Sequence, residues 1–315
     1  MKKTLLLGFL LAWVALPGGV APDAVAALNV VVTTSDLGVL VRAVGGADVT
    51  VTTLARAGED PHFVDARPSF LRQLRRADLL VEGGAELESG WLPPLVNNAR
   101  NAKIRPGASG HFAAATAAGI ALCDKPQTLD RSHGDIHAAG NPHFLLDPEN
   151  GVRVARALAG RLAQLDTANA EAYRRRAEGL CETVARRFPE WRRRLAPLRG
   201  RSVVTYHHSF DYFLTAFEIK LEDTIEPKPG VEPSASHIVS LMARMKRGGV
   251  RLVIAEPNRP SRVCERVAAE TGAVLLRLPL MPGGVEGTED YIAFIEHWVS
   301  ALATATPLHQ TGAVR

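Results

Sequence analysis

The chain has 315 residues, 46% of them hydrophobic, with 37 Lys and Arg against 33 Asp and Glu. That length and apolar content suffice for two domains with separate cores and exclude a disordered or fibrous chain. The small positive balance gives no electrostatic footprint for nucleic acid, which is not expected as a partner.

Residues 1–26 have the pattern of a secretory signal peptide: Lys2 and Lys3, an apolar run from Leu5 to Leu16, then small residues through Ala24, Ala26 and Ala27. The run is too short to span a bilayer, and no later segment approaches the roughly 20 apolar residues that a membrane helix needs. No cysteine follows it, so lipid attachment is not expected. Without Lys2, Lys3 and Asp23 the chain keeps 35 basic and 32 acidic side chains, and its expected location is the periplasm.

Short β-branched runs follow at Val30–Thr34, Val49–Leu54, Leu79–Glu82 and Gly119–Leu122, separated by segments of helical periodicity. The rhythm returns at Ser202–Tyr206, Ile219–Ile225, Leu252–Glu256 and Val274–Leu278. Such alternation predicts parallel strands with crossover helices, four strands to a lobe. Ser35 and Ser234 are read as caps of helices, the second one stopping at Gly248 and Gly249.

Between the lobes, residues 148 to about 195 carry no strand signal. Asp147 is placed as an N-cap and Pro148 as the first helical residue, where its missing N–H costs nothing. A break is expected at Gln164–Thr167, with Asp166 or Thr167 capping a second helix of about 20 residues and roughly 30 Å. That helix should end or kink before Pro189. The predicted fold class is α/β, two lobes each with a small, mainly parallel sheet flanked by helices and joined by a long helix that limits hinge motion. The boundaries are 27–165 for the N-terminal lobe, 166–195 for the linking helix and 196–315 for the C-terminal lobe. The arginines at 174–176 and 186–194 are read as a solvated helix face. Cys123, Cys181 and Cys264 are an odd count, allowing one disulfide at most, and are assigned no chemistry.

Three of the ten histidines sit at strand ends or helix starts: His62 in GEDPHFVDARPS, His143 in GNPHFLLDPEN and His207 in VVTYHHSFDYF. Taken singly, each is more simply a turn or cap residue. Together they show a repeated Pro-His-Phe core before an Asp and a Pro, so two of the rings are held in rigid turns at lobe edges. Rigid placement is what a metal site requires. Three neutral imidazoles suit a zinc ion, which takes nitrogen ligands at about 2.0 to 2.1 Å.

These segments resemble the zinc/manganese solute-binding proteins of metal ABC transporters, and the resemblance covers essentially the whole chain after residue 26. Its landmarks, in order, are PHF…RPS at 61–69, PHFLLDPEN at 142–150, HHSFDYF at 207–213, PGVEPSASHI at 229–238, AEP at 255–257 and TEDYIAFIEHW at 288–298. The resemblance implies a monomeric, non-enzymatic binding protein that captures Zn2+ between its lobes and delivers it to an ABC permease in the inner membrane. It also implies the ligand set: His62 and His143 from the first lobe, His207 from the second. A histidine at the third position favours zinc over manganese, which prefers oxygen donors. His208 is read as a non-ligand.

One departure stands out. The family's late carboxylate ligand has no counterpart in RLPLMPGG, where Arg277 and Leu278 stand instead. Water or Glu256 could fill the fourth position, Glu256 being more simply a hydrogen-bond acceptor near the site. The pattern formed by His133, Asp135 and His137 is either a polar surface loop or an accessory zinc-collecting patch. His111, His237, His297 and His309 are read as surface or helix-face residues. The alternatives are a secreted zinc hydrolase, for which no HExxH pairing or other general base is found, and a binding protein for Mn2+ or another divalent metal.

Overall fold

The computed structural model describes residues 27–123, 137–228 and 230–310. The proposed signal segment, His133 and Asp135 lie outside them.

The first lobe is built on β1 (Leu28–Val32), β2 (Val49–Thr53), β3 (Leu79–Glu82) and β4 (His111–Ala113), all parallel in the order β2-β1-β3-β4. The second repeats that plan with β5 (Ser202–Thr205), β6 (Lys220–Thr224), β7 (Leu252–Ala255) and β8 (Val274–Arg277) in the order β6-β5-β7-β8. Seven of the eight strands fall where the hydrophobic pattern puts them. The eighth does not: residues 119–122 form no strand, and His111–Ala113 pairs with β3 in their place. Gly119, at φ +60°, closes the short helix α4 (Ala114–Ala117). Its N–H goes to the Thr116 carbonyl and that of Ile120 to Ala115, a helix-ending pattern that uses the donors a strand would need.

Side chains of β1 alternate between two cores, as a pleated strand covered on both faces requires. Val31 packs outward against α2 (Pro68–Arg76) and α3 (Leu92–Ala99) through Phe70, Leu74 and Leu95, whereas Val30 and Val32 point inward. Val203 and Val204 of β5 divide in the same way, Val203 joining the inner cluster. That inner cluster is shared. It joins the inner faces of both sheets to α1 (Ser35–Gly45), α5 (Pro148–Leu165), α6 (Ala170–Leu195), α7 (Asp211–Ala216) and the late helix Tyr291–Gln310. The two lobes therefore rest on one continuous apolar layer.

Asp147 caps α5 by accepting from the Glu149 N–H at 2.9 Å, with Pro148 as first helical residue, and Asp166 caps the turn before α6. The helix α6 then runs 26 residues and passes through Pro189, contrary to the expected stop. An interior proline costs about 3 kcal/mol. Beyond it, Trp191 is fully buried with its indole N–H on Glu296 at 2.8 Å, and Leu195 is buried too. Burial of that size offsets the lost hydrogen bond. The basic face is solvated, as read, and also ties α6 to both lobes: Arg176 meets Asp48 at 2.8 Å, and Arg192 meets Glu218 at 3.2 Å. The three cysteines form no disulfide.

Candidate metal centre

In a parallel α/β sheet, ligands collect at the carboxyl ends of the strands, where successive crossovers diverge. Here two such edges face each other. The segment after β2 carries Asp60 and His62. The chain leading into α5 carries His143, while β5, β6 and β7 are followed directly by His207, Glu226 and Glu256.

The structure brings His62, His143 and His207 together: one nitrogen from each lies within 4.8 Å of the others. Ring centroids are separated by 5.1, 6.0 and 5.8 Å, and the rings stand nearly perpendicular to one another, so they meet edge to face and not in a stack. His143 and His207 are each 7% exposed. A cavity of about 30 Å³ opens beside them, bounded by Asp60, His62, His207, Glu226 and Arg259.

Two rings are oriented by carboxylates. Asp60 meets His62 Nδ1 at 2.8 Å, and Glu226 meets His207 Nδ1 at 2.5 Å. Each carboxylate accepts a hydrogen bond from Nδ1–H, which leaves the Nε2 lone pair to the centre, the arrangement that fixes the tautomer of metal-binding histidines. Burial alone would raise the Asp60 carboxyl; the hydrogen bond and charge of His62, with Arg259 behind it, hold it at about 2. His143 is placed through its backbone: its N–H donates to Asn141 Oδ1 at 3.0 Å, and Asn141 Nδ2 donates across the cleft to the His208 carbonyl at 2.7 Å. Its Nε2 is buried with no hydrogen-bond partner. Burial, then the charges of His62 and His207, push its pKa well below the ordinary value.

The other assigned residues sort cleanly. His208 turns to Asp211 at 2.8 Å. Glu256, 2% exposed, accepts from Ser209 through Oε1 at 2.5 Å, and its Oε2, buried with no hydrogen-bond partner, lies 3.4 Å from Arg259 Nε. Arg277 donates to the carbonyls of Glu256 and Arg259, and Leu278 is core. His111 pairs with Glu82 at 3.1 Å, and His237 meets the Thr224 carbonyl at 2.9 Å. His137, the described residue of its pattern, has its Nε2 3.0 Å from His62 Nε2. Burial, then His62 and His207, lower its pKa to about 4.

The sequence reading left out Asp60, Glu226, Asn141 and Arg259. A carboxylate two residues before a strand-end histidine, as in Glu-Asp-Pro-His, was a usable signal for Asp60. Glu226 needed the pairing of β5 with β6.

Two parallel α/β lobes on a shared core, with imidazoles from both edges converging in the cleft, define a solute-binding protein built for a cation. Residues 30–305 match the family model described as zinc-uptake complex component A, periplasmic (ZnuA), and the chain belongs to that family. Its members are substrate-binding components of metal ABC transporters, not enzymes. The metal ABC transporter substrate-binding lipoprotein ScbA of Streptococcus cristatus is 24% identical over 249 residues, 78% of this chain and 76% of that protein. The zinc-binding protein AdcA of Streptococcus pyogenes is 23% identical over 277 residues, 84% of this chain and 53% of the relative. The manganese ABC transporter substrate-binding lipoprotein PsaA of Streptococcus pneumoniae is 23% identical over 249 residues, 78% of this chain and 76% of PsaA. A ZnuA crystal structure superimposes with TM-score 0.69 at 23% identity, over 89% of this chain and 99% of that one. A mutant of the laminin-binding adhesin Lmb of Streptococcus agalactiae gives 0.74 at 21%, over 90% and 100%. Among the described residues, no helix is long and apolar enough to cross a membrane.

Proposed function

We propose that this protein captures Zn2+ on His62, His143 and His207, in the periplasm after removal of residues 1–26, and delivers it as a monomer to an ABC permease of the inner membrane. The observation that carries this reading is the buried, unpartnered Nε2 of His143, facing two imidazoles whose other nitrogens are held by carboxylates. An orphaned buried acceptor is costly in a folded protein. A cation at the centre removes that cost.

The relatives include zinc and manganese binders. An all-nitrogen donor set supports zinc, because manganese prefers oxygen ligands. Drawing donors from both lobes supports delivery as well as capture, since parting the lobe of His207 (residues 196–315) from the lobe of His62 and His143 (27–165) dismantles the site. The segment 166–195 then acts as the stiff connection.

The test is metal analysis of protein purified without added metal, followed by competition titration with Zn2+ and Mn2+. Zinc should co-purify and outcompete manganese, and His62→Ala, His143→Ala and His207→Ala should each lose tight binding while keeping the fold. Undiminished zinc affinity in any one removes that residue from the site. Tighter binding of Mn2+ than of Zn2+ overturns the metal assignment.

A further inference from the structure

We propose that His137 is the fourth nitrogen donor of this centre, closing the coordination of the bound cation where the late second-lobe stretch offers no carboxylate. The proposal rests on the three-histidine reading above and adds to it a residue from a segment otherwise read as accessory.

The geometry is specific. His137 Nε2 faces His62 Nε2 at 3.0 Å, and the two ring centroids are 5.0 Å apart, as close as the 5.1 Å between His62 and His143. Two nitrogens bound to one zinc at about 2.0 to 2.1 Å with tetrahedral angles are about 3.3 Å apart. That one pair is near the separation a shared cation demands, whereas His137 lies outside the set of nitrogens within 4.8 Å of one another, so cation binding must draw it toward His143 and His207. The direction of the proton in this contact follows from the neighbours. Asp60 holds the Nδ1 proton of His62, so His62 Nε2 presents a lone pair, and His137 Nε2–H donates to it in the metal-free protein. A neutral imidazole can carry its proton on either nitrogen. When a cation takes up the two lone pairs, the His137 proton moves to Nδ1, and no net charge changes.

The position of His137 is built, too. The Gly140 N–H returns to the His137 carbonyl at 3.0 Å, and the Ala138 N–H donates to the Glu86 carboxylate. The Asn141 N–H reaches the Cys123 carbonyl at 2.8 Å, and Tyr212 OH donates to the Asn141 carbonyl at 2.7 Å. The turn carrying His137 is thereby docked on the same anchor, Asn141, that positions His143. Of the carboxylates nearby, Asp60 and Glu226 hold Nδ1 atoms, and Glu256 accepts from Ser209 and forms an ion pair with Arg259.

The test compares His137→Ala and His137→Gln with wild type and with His143→Ala, using Zn2+ in competition with a chromophoric chelator and Co2+ as a spectroscopic probe. Circular dichroism checks that each variant folds. The expected result is that both His137 variants still bind one zinc with affinity reduced at least about 100-fold, no less than the loss of a hydrogen-bond partner behind a ligand costs. Their Co2+ visible bands should weaken and shift as water replaces nitrogen, while His143→Ala loses tight binding altogether. Unchanged zinc affinity with an unchanged Co2+ spectrum in the His137 variants overturns the proposal, as does loss of only a second, weaker metal. If His143→Ala also bound normally, the three-histidine reading itself would fail, a result distinct from the first.

Discussion

Arg259 of the second lobe reaches across the cleft to Asp60 of the first, Nη1 to Oδ2 at 3.3 Å, while the other oxygen of the same carboxylate holds His62. The guanidinium also lies 3.4 Å from the buried Glu256 and stacks over the Tyr206 ring. Lobe closure and ligand orientation thus share one carboxylate. When the lobes part, Asp60 loses its cation at the same moment that His207 leaves His62.

Asp60→Asn is expected to lower zinc affinity by about 10- to 100-fold, because the amide no longer fixes the Nδ1 proton of His62. Arg259→Met should act differently. It leaves Glu256 buried without its cation, so it should cost about 3 kcal/mol in stability, with the smaller effect on affinity. Competition titration and denaturant unfolding on both variants separate the two roles. Equal affinity losses would mean that Arg259 acts only through His62.

Zinc should stabilise the folded chain by mass action. At a free concentration 1,000 times the dissociation constant the gain is about 4 kcal/mol, seen as a rise in the thermal midpoint. His143→Ala should show none of this rise, and chelation should reverse it in the wild type. A midpoint indifferent to zinc would place the metal outside the folded cleft.

Trp191→Ala is expected to destabilise by about 3 to 5 kcal/mol, as for other large buried side chains, with zinc stoichiometry unchanged. Trp191 sits past Pro189 and, with Leu195, carries the last turns of α6 into the shared core. If the variant unfolds no more easily, another contact is carrying α6 through the proline.

That helix shows where local signals stop being informative. Pro189 argued for a stop, and its covalent chemistry is as the sequence says; the decision came from contacts with Glu296, more than 100 residues later. The strand at His111–Ala113 failed for a related reason: three residues leave no period to read, whereas Gly119–Leu122 looked β-branched but was consumed in closing α4. His62, His143 and His207 were legible because each carries its turn chemistry beside it in the chain. His137 was legible only as part of a loop or accessory patch; its contact with His62, 75 residues away, was not.

Glu88 supplies a pH dependence away from the metal. It is 3% exposed, accepting from Thr33 Oγ1 at 2.6 Å and from the Gly83 and Gly84 N–H groups at 2.7 and 3.2 Å. Burial, then the charge of Glu82, raises its pKa from 4.5 to about 7, with those hydrogen bonds opposing. Between these values the folded protein keeps a proton that the unfolded chain has lost, so stability must fall as pH rises from about 4.5 to 7 and level off above. A shift of that size corresponds to at most about 3 kcal/mol. Glu88→Gln does not titrate. In metal-free protein, the stability difference between wild type and this variant should therefore decline across that window, as followed by denaturant unfolding at pH 5, 6, 7 and 8. A difference that stays level would show that the Glu88 carboxyl ionises as it does in water, with its three donors fully offsetting its burial.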